Sequence, residues 1–367
     1  MRSPSSFPIA SRQVEVRLAQ TLSAVETHAE GEQGTCYLGS VFALPGVTAR
    51  EKLHYVNEVD DSLRRFLCFE PRGRSQTSAN IVFPSSNPEA DAGFIILQPD
   101  RAHAMSGSNT ICVVTALLET GTIPMQEPVT TVTLETAAGL IRARATCRDG
   151  RCERVTLDGV PSFVEALDVP LHVPGYGDIE VDIAYGGCYY VLADVAQLGL
   201  ELTRGHARDV VEAGTAICRA ASEAVPVRHP ELPEIDFISY AMLIGDDDPA
   251  AGRLRGATVL SGRVDRSPCG TGNSARLACM SARGQAEVGS RFTATSLIDS
   301  TFDVELTGTT DLRGRPAVLP RISGRGWVVG TRITAVDPSD PYPLGYVLSD
   351  VWGSDVAAAA AEELPAR

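Results

Sequence analysis

The sequence has no run of about twenty consecutive apolar residues, the length a helix needs to cross a bilayer. Its first twenty residues, MRSPSSFPIASRQVEVRLAQ, lack the continuous apolar stretch of a secretory signal. The expectation is a soluble, cytoplasmic protein with no membrane partner. Metal-ligand spacings are missing too: the six histidines show no HxH or HExxH, and the nine cysteines show no CxxC. An odd, scattered cysteine count also argues against a disulfide framework, so reduced thiols and no metal are expected. Neither GxGxxG after a strand nor GxxxxGK[ST] occurs, which removes the usual sign of a dinucleotide or nucleoside triphosphate, and no cofactor is expected. Nor is there an excess of basic charge. With 32 Lys and Arg against 46 Asp and Glu, the net charge of −14 speaks against nucleic acid or an anionic surface as partner.

What is present is a globular composition, 44% apolar and 21% charged over 367 residues, enough for two domains of ordinary size. Short β-branched runs dominate, at 130–134, 155–157, 179–183, 189–192, 302–306 and 327–333, separated by turns such as Asp149-Gly150 and Arg313-Gly314. Helical pattern is confined to 110–119, 195–198, 204–224 and 273–283. The expected class is therefore α+β with a mostly antiparallel or mixed sheet.

Two segments 163 residues apart resemble each other. Met105-Ser106-Gly107-Ser108-Asn109-Thr110 opens one predicted helix, and Pro268-Cys269-Gly270-Thr271-Gly272-Asn273 opens another. In each, a small nucleophilic side chain precedes glycine and then a hydroxyl residue. Ser, Asn, Thr and Gly also suit ordinary N-caps, but duplication of the whole turn points to a shared task. Amides at a helix start lack internal partners and carry the positive end of the dipole, so they attract a carboxylate. A cysteine in that position is expected to have its thiol pKa lowered. Two such turns face to face would grip one small carboxylate and present a side chain to each face of its α-carbon. Asp265, four residues before Cys269, could accept from a substrate ammonium, or could pair with Arg263 or Arg266.

These residues resemble the proline racemase family. Thr27-His28-Ala29-Glu30-Gly31-Glu32, Glu70-Pro71-Arg72-Gly73, Asp91-Ala92-Gly93-Phe94, Gly186-Gly187 before Tyr189, and the segment from Asp337 to Gly345 are similar to its blocks, and Asp265 to Gly272 is similar to its second catalytic turn. The likeness extends over roughly residues 20 to 350. It implies a diaminopimelate epimerase-like fold, with two pseudo-symmetric α/β domains and the substrate between them. The expected division is residues 1–160 with 340–367 for the first and 161–339 for the second. By resemblance the acid/base pair is Ser106 and Cys269. The carboxylate is held at Gly107 with Ser108 and at Gly270 with Thr271, and the ring nitrogen by Asp265. Tyr240 is a candidate for a further polar contact. The implied partner is a proline-type imino acid, with no metal or organic cofactor; a homodimer stays open.

The family's first turn usually reads Met-Cys-Gly-His-Gly, whereas Ser106 and Ser108 stand here. A serine hydroxyl is a far weaker acid than a thiol, which should weaken two-base chemistry at the α-carbon. In trans-3-hydroxy-L-proline the α-hydrogen and the leaving hydroxyl share a ring face, so one side of the site could remove both. The expected principal activity is therefore trans-3-hydroxy-L-proline dehydratase, giving 1-pyrroline-2-carboxylate. The alternative is 4-hydroxyproline 2-epimerase, alone or as a second activity. Proline racemase, or a binding protein that has lost turnover, stands behind both. Cys112 and Cys188 are expected to be packed in the core, and Cys147 and Cys152 to be surface or edge residues. His28 is expected to be structural, and His103 could be structural or catalytic.

Overall fold

Alternating side chains on two neighbouring strands show how one sheet serves two helices. The computed structural model describes residues 20–38, 44–233, 235–260 and 262–352. Its helices are α1 (Ala49–Glu58), α2 (Ser62–Cys68), α3 (Gly107–Glu119), α4 (Ala207–Ala224), α5 (Gly270–Ala282) and the single turn α6 (Ser349–Trp352). On strand Tyr189–Asp194, Tyr189, Val191 and Ala193 join the core beneath α4, while Tyr190 and Leu192 join a smaller cluster beneath α5. The parallel neighbour Ile238–Ile244 repeats this, with Ala241 and Leu243 on the α4 side and Tyr240 and Met242 on the α5 side. The two-residue period of a strand thus sends alternate residues to two buried faces. On α4 the buried residues Val210, Ala213, Ile217 and Ala221 form the one apolar stripe that this sheet needs.

The first half is built the same way. Ile81, Phe83, Ile95 and Leu97 pack with α1 and α2, while Val82, Phe94 and Ile96 face α3. Helix α3 is buried on all sides from Gly107 to Leu118, as expected of a helix wrapped by a curved sheet. α1 and α2 are absent from the sequence expectation. The readable signal was the capping box Thr48 to Glu51, whose reciprocal hydrogen bonds both form. The expected strand segments all fall inside strands, whereas Val195–Leu198 is a 3-10 turn ended by Gly199. Helices α3 and α5 begin three residues earlier than expected, because Ser106 and Cys269 are themselves the N-caps.

Strand Gln20–Ala29 lies between Glu32–Tyr37 and Gly326–Val336, antiparallel to both. Strand Arg315–Gly324 likewise joins Arg151–Asp158. Gly326–Val336, which the expected division places in the second half, thus pairs by backbone hydrogen bonds with Gln20–Ala29 of the first. Residues 1–19 and 353–367 of that division lie outside the described residues. All nine cysteines are free, and Cys147 and Cys152 are buried and opposite each other, not at the surface as expected. Their side chains join the α3 core because both lie on its inward face. Among the described residues, no helix is long and apolar enough to cross a membrane.

Candidate active site

The two wrapped helices, α3 and α5, point their first residues at each other. A Cβ placed on Gly107 would stand 3.6 Å from the Cα of Gly270, and one on Gly270 equally far from Gly107, so the glycines allow backbone to meet backbone. Ser106 caps α3, its Oγ accepting from the Asn109 amide at 3.4 Å, and Cys269 caps α5, its Sγ accepting from the Gly272 amide at 3.3 Å. Both bonds run from the third residue of the helix back to the cap, so the two turns are built to one plan. The amides of Gly107, Ser108, Gly270 and Thr271 begin their helices with no carbonyl one turn behind, as a carboxylate-binding pair of helix starts requires.

Beside this junction lies a cavity of ≈ 210 Å³ lined by Ser106, Ser108, Asp265, Cys269, Thr271 and Tyr240, among others. Six expected site residues therefore line one cavity, while Gly107 and Gly270 meet each other beside it. The backing of the second turn explains Gly186-Gly187: a Cβ on Gly186 would fall 2.1 Å from the Thr271 carbonyl oxygen, and Gly187 has φ +121°.

Around Ser106 the hydrogen bonds are those that stabilise oxygen bearing negative charge. Asn109 Nδ2 donates to Oγ at 3.0 Å, its amide donates as well, and the Ser108 hydroxyl lies 3.2 Å away. Around Cys269 the polar groups are Tyr190 OH at 3.4 Å and Thr271 Oγ1 at 3.7 Å, themselves joined at 2.7 Å. Burial, reinforced by the charge of Asp265, pushes the Cys269 thiol above its ordinary range, and the hydrogen bonds of the turn only partly oppose this. This direction is opposite to the lowering expected of a cysteine at a helix start, desolvation being the largest influence on the thiol. Cys188 also faces the cavity, with burial holding its thiol up at about 12, whereas Cys112 is fully packed in the α3 core.

Asp265 is buried, and its Oδ1 accepts from the amide and hydroxyl of Ser267 at 2.8 and 2.9 Å. Burial and the nearby Glu32 carboxylate raise its pKa, against the pull of Arg263. Arg263 forms its ion pair with Glu32, at 2.6 Å. Tyr240 OH meets His103 Nδ1 at 3.0 Å, and His103 Nε2 lies 3.2 Å from Asp100, a polar chain running across the cleft. His28 instead stacks on Trp327, ring centroids 4.8 Å apart, and its Nδ1 accepts from Gly31, a structural arrangement.

Glu32, Asn109, Tyr190 and the Asp100–His103 pair were not assigned to the site from sequence. Asn109, inside the first turn, and His103, which the sequence leaves as structural or catalytic, carried a local signal. Among the described residues, no group of three or more His, Cys, Asp or Glu could hold a metal ion.

The proline racemase family matches residues 24–347. The 4-hydroxyproline 2-epimerase of Rhizobium etli is 51% identical over 341 residues, covering 92% of this chain and 98% of that one. The crystal structure of a hydroxyproline epimerase from Agrobacterium vitis, with bound trans-4-hydroxy-L-proline, superimposes with a TM-score of 0.88 at 48% identity, covering 94% of this chain and 100% of that one. A PhzF-family phenazine biosynthesis protein from Bacillus anthracis shares the fold alone, with a TM-score of 0.53 at 13% identity over 86% of this chain and 99% of that one.

Proposed function

From this chain's membership in the proline racemase family, we propose that it is a 4-hydroxyproline 2-epimerase, inverting C2 between trans-4-hydroxy-L-proline and cis-4-hydroxy-D-proline. The supporting observation is the pair of opposed caps: Ser106 and Cys269 sit on helix starts that touch through Gly107 and Gly270, and both line one cavity. A carboxylate between those starts receives amide donors from both sides, which stabilise the charge that moves into it when C2 loses its proton. Asp265 holds the ring ammonium. One cap removes the C2 proton and the other returns a proton to the opposite face, with no other atom exchanged.

Epimerisation is preferred here to dehydration, the principal activity expected from the sequence. That expectation took Ser106 as an unassisted hydroxyl, and the three polar groups around Oγ weigh against it. The relatives' names point the same way. Cys269, kept protonated by burial, is set to deliver a proton, while Ser106 has donors that help its oxygen release one.

The ring hydroxyl finds its partner in Tyr240, backed by His103 and Asp100. Tyr240→Phe is expected to lower kcat/KM for trans-4-hydroxy-L-proline about tenfold more than for L-proline, since a buried partner is left unpaired only by the hydroxylated ring.

The deciding experiment incubates trans-4-hydroxy-L-proline, trans-3-hydroxy-L-proline and L-proline separately in deuterated water and follows each by NMR. Inversion of the 4-hydroxy isomer with deuterium at C2 is expected. Water loss from the 3-hydroxy isomer, without inversion of the 4-hydroxy isomer, would return the assignment to a dehydratase.

A further inference from the structure

Glu32 begins strand Glu32–Tyr37 in the first half, yet both its carboxylate oxygens are engaged by the second half. Oε1 accepts from Arg263 Nη1 at 2.6 Å and Oε2 from the Arg266 amide at 2.9 Å. Only 4% of the Glu32 side chain and 3% of the Arg263 side chain are exposed. The approach depends on Gly31, whose φ is +97° and where a Cβ would stand 2.4 Å from Ile298 Cδ1. The two bonds fall on either side of Asp265, and Glu32 itself lines the cavity.

We propose that Glu32 is a positioning residue of this site: by joining Arg263 and the Arg266 amide across the cleft, it fixes the segment that presents Asp265 to the substrate's ring nitrogen. This rests on the reading of Asp265 as the holder of that nitrogen. Ser267 occupies Oδ1, and Oδ2 has no protein donor among the described residues, which leaves it for the ring ammonium. A surface ion pair would contribute little here. A buried pair costs desolvation, and breaking it strands a charge, so its place beside the site serves arrangement better than stability. The charged and titratable groups acting on Asp265 are Glu32 from the first half, Arg263 and Arg266 from its own segment, and Cys269 from the start of α5; Asp100 acts in turn on Arg263. Glu32 is the carboxylate among them that holds Asp265 back from ionising.

Glu32→Gln and Glu32→Asp test this in the full chain, by kcat/KM against pH and by calorimetric binding of two probes. L-proline carries a ring cation; pyrrole-2-carboxylate is planar and carries none. Loss of the Glu32 charge lets Asp265 ionise more readily, so the acid limb of kcat/KM should move down by about one pH unit in Glu32→Gln and stay in place in Glu32→Asp. Both variants should weaken L-proline about tenfold while changing pyrrole-2-carboxylate by less than about threefold, the difference between a lost ammonium contact and an untouched carboxylate grip. Equal weakening of both probes, or a Glu32→Gln profile that superimposes on the wild type, overturns the proposal. If Glu32→Gln fails to fold, the two-probe comparison in Glu32→Asp decides by the same criterion. Wild-type inversion of trans-4-hydroxy-L-proline tests the functional reading separately, because the binding comparison uses no turnover.

Discussion

The first turn and the second share a plan but differ in what they demand of the backbone and of the proton. Ser106 has φ −153°, an extended conformation open to any residue, and it caps α3 through an ordinary amide bond. Cys269 has φ +66°, a region that side chains with a Cβ seldom enter, at a cost of roughly 1–3 kcal/mol. The surrounding structure over-determines it: the Cys269 amide donates to Ser267 Oγ, and Asn273 Nδ2 holds the carbonyls of Pro268 and Cys269. At the first turn the matching position is Thr110, whose Oγ1 donates to the Ser106 carbonyl at 2.8 Å, while Asn109, one residue nearer the cap, reaches the Ser106 side-chain oxygen. Rigidity at one turn and hydrogen-bond support at the other are two ways of making an unequal pair work in both directions.

Removing the rigid partner should have the largest effect. Cys269→Ala is expected to lower kcat for C2 inversion by at least about 10³-fold, as loss of a general acid/base does, and wild-type turnover in that variant would refute the site assignment. Ser106→Ala should follow at about 10²-fold, because solvent can stand in at the less buried turn, whereas Ser106→Cys should recover inversion and raise it relative to any water loss from trans-3-hydroxy-L-proline. An unchanged ratio in Ser106→Cys would mean that the two hydroxyls and thiols are interchangeable here. Exchanging the two amide side chains sharpens the contrast. Asn109→Ala should cut kcat about tenfold with KM nearly unchanged, through loss of one donor to Oγ, while Asn273→Ala should act mainly on stability, which thermal unfolding would separate from rate.

The smallest effect concerns stability against pH. The native state holds the Asp265 proton more tightly than the unfolded chain, so ionisation destabilises the fold from the ordinary carboxylate range upward to the raised native value. Below that range both states are protonated and Asp265→Asn should match the wild type. As pH rises toward neutrality the variant should become the more stable, gaining roughly 1–2 °C in Tm for each kcal/mol relieved. A variant less stable than wild type at pH 7 would show that Asp265 is ionised and well paired without substrate.

Local chemistry was legible in the sequence, and long-range chemistry was not. Ser106 to Ser108 and Asp265 with Cys269 to Thr271 could be read because a helix start is specified by three or four neighbouring residues. The α+β class followed from β-branched runs whose period needs no tertiary context. Glu32 could not be read as Arg263's partner, since 231 positions separate them and the sequence offered Asp265 nearer by. The Cys269 thiol was placed on the wrong side of its ordinary value for the same reason: the helix start that lowers it is local, and the burial that raises it comes from Tyr190, Tyr240 and Met242 on other strands. Helices α1 and α2 were missed because their short apolar faces are matched to a sheet rather than to a strong period of their own.

The pairing of Gln20–Ala29 with Gly326–Val336 bears on how the chain is made. These strands lie about 300 residues apart, so during synthesis the first waits with one edge unsatisfied until the second has left the ribosome. Contacts of such sequence separation slow folding, and an open edge invites pairing with other chains meanwhile. Truncation shortly before Gly326 should therefore yield insoluble protein even though both catalytic turns would be present.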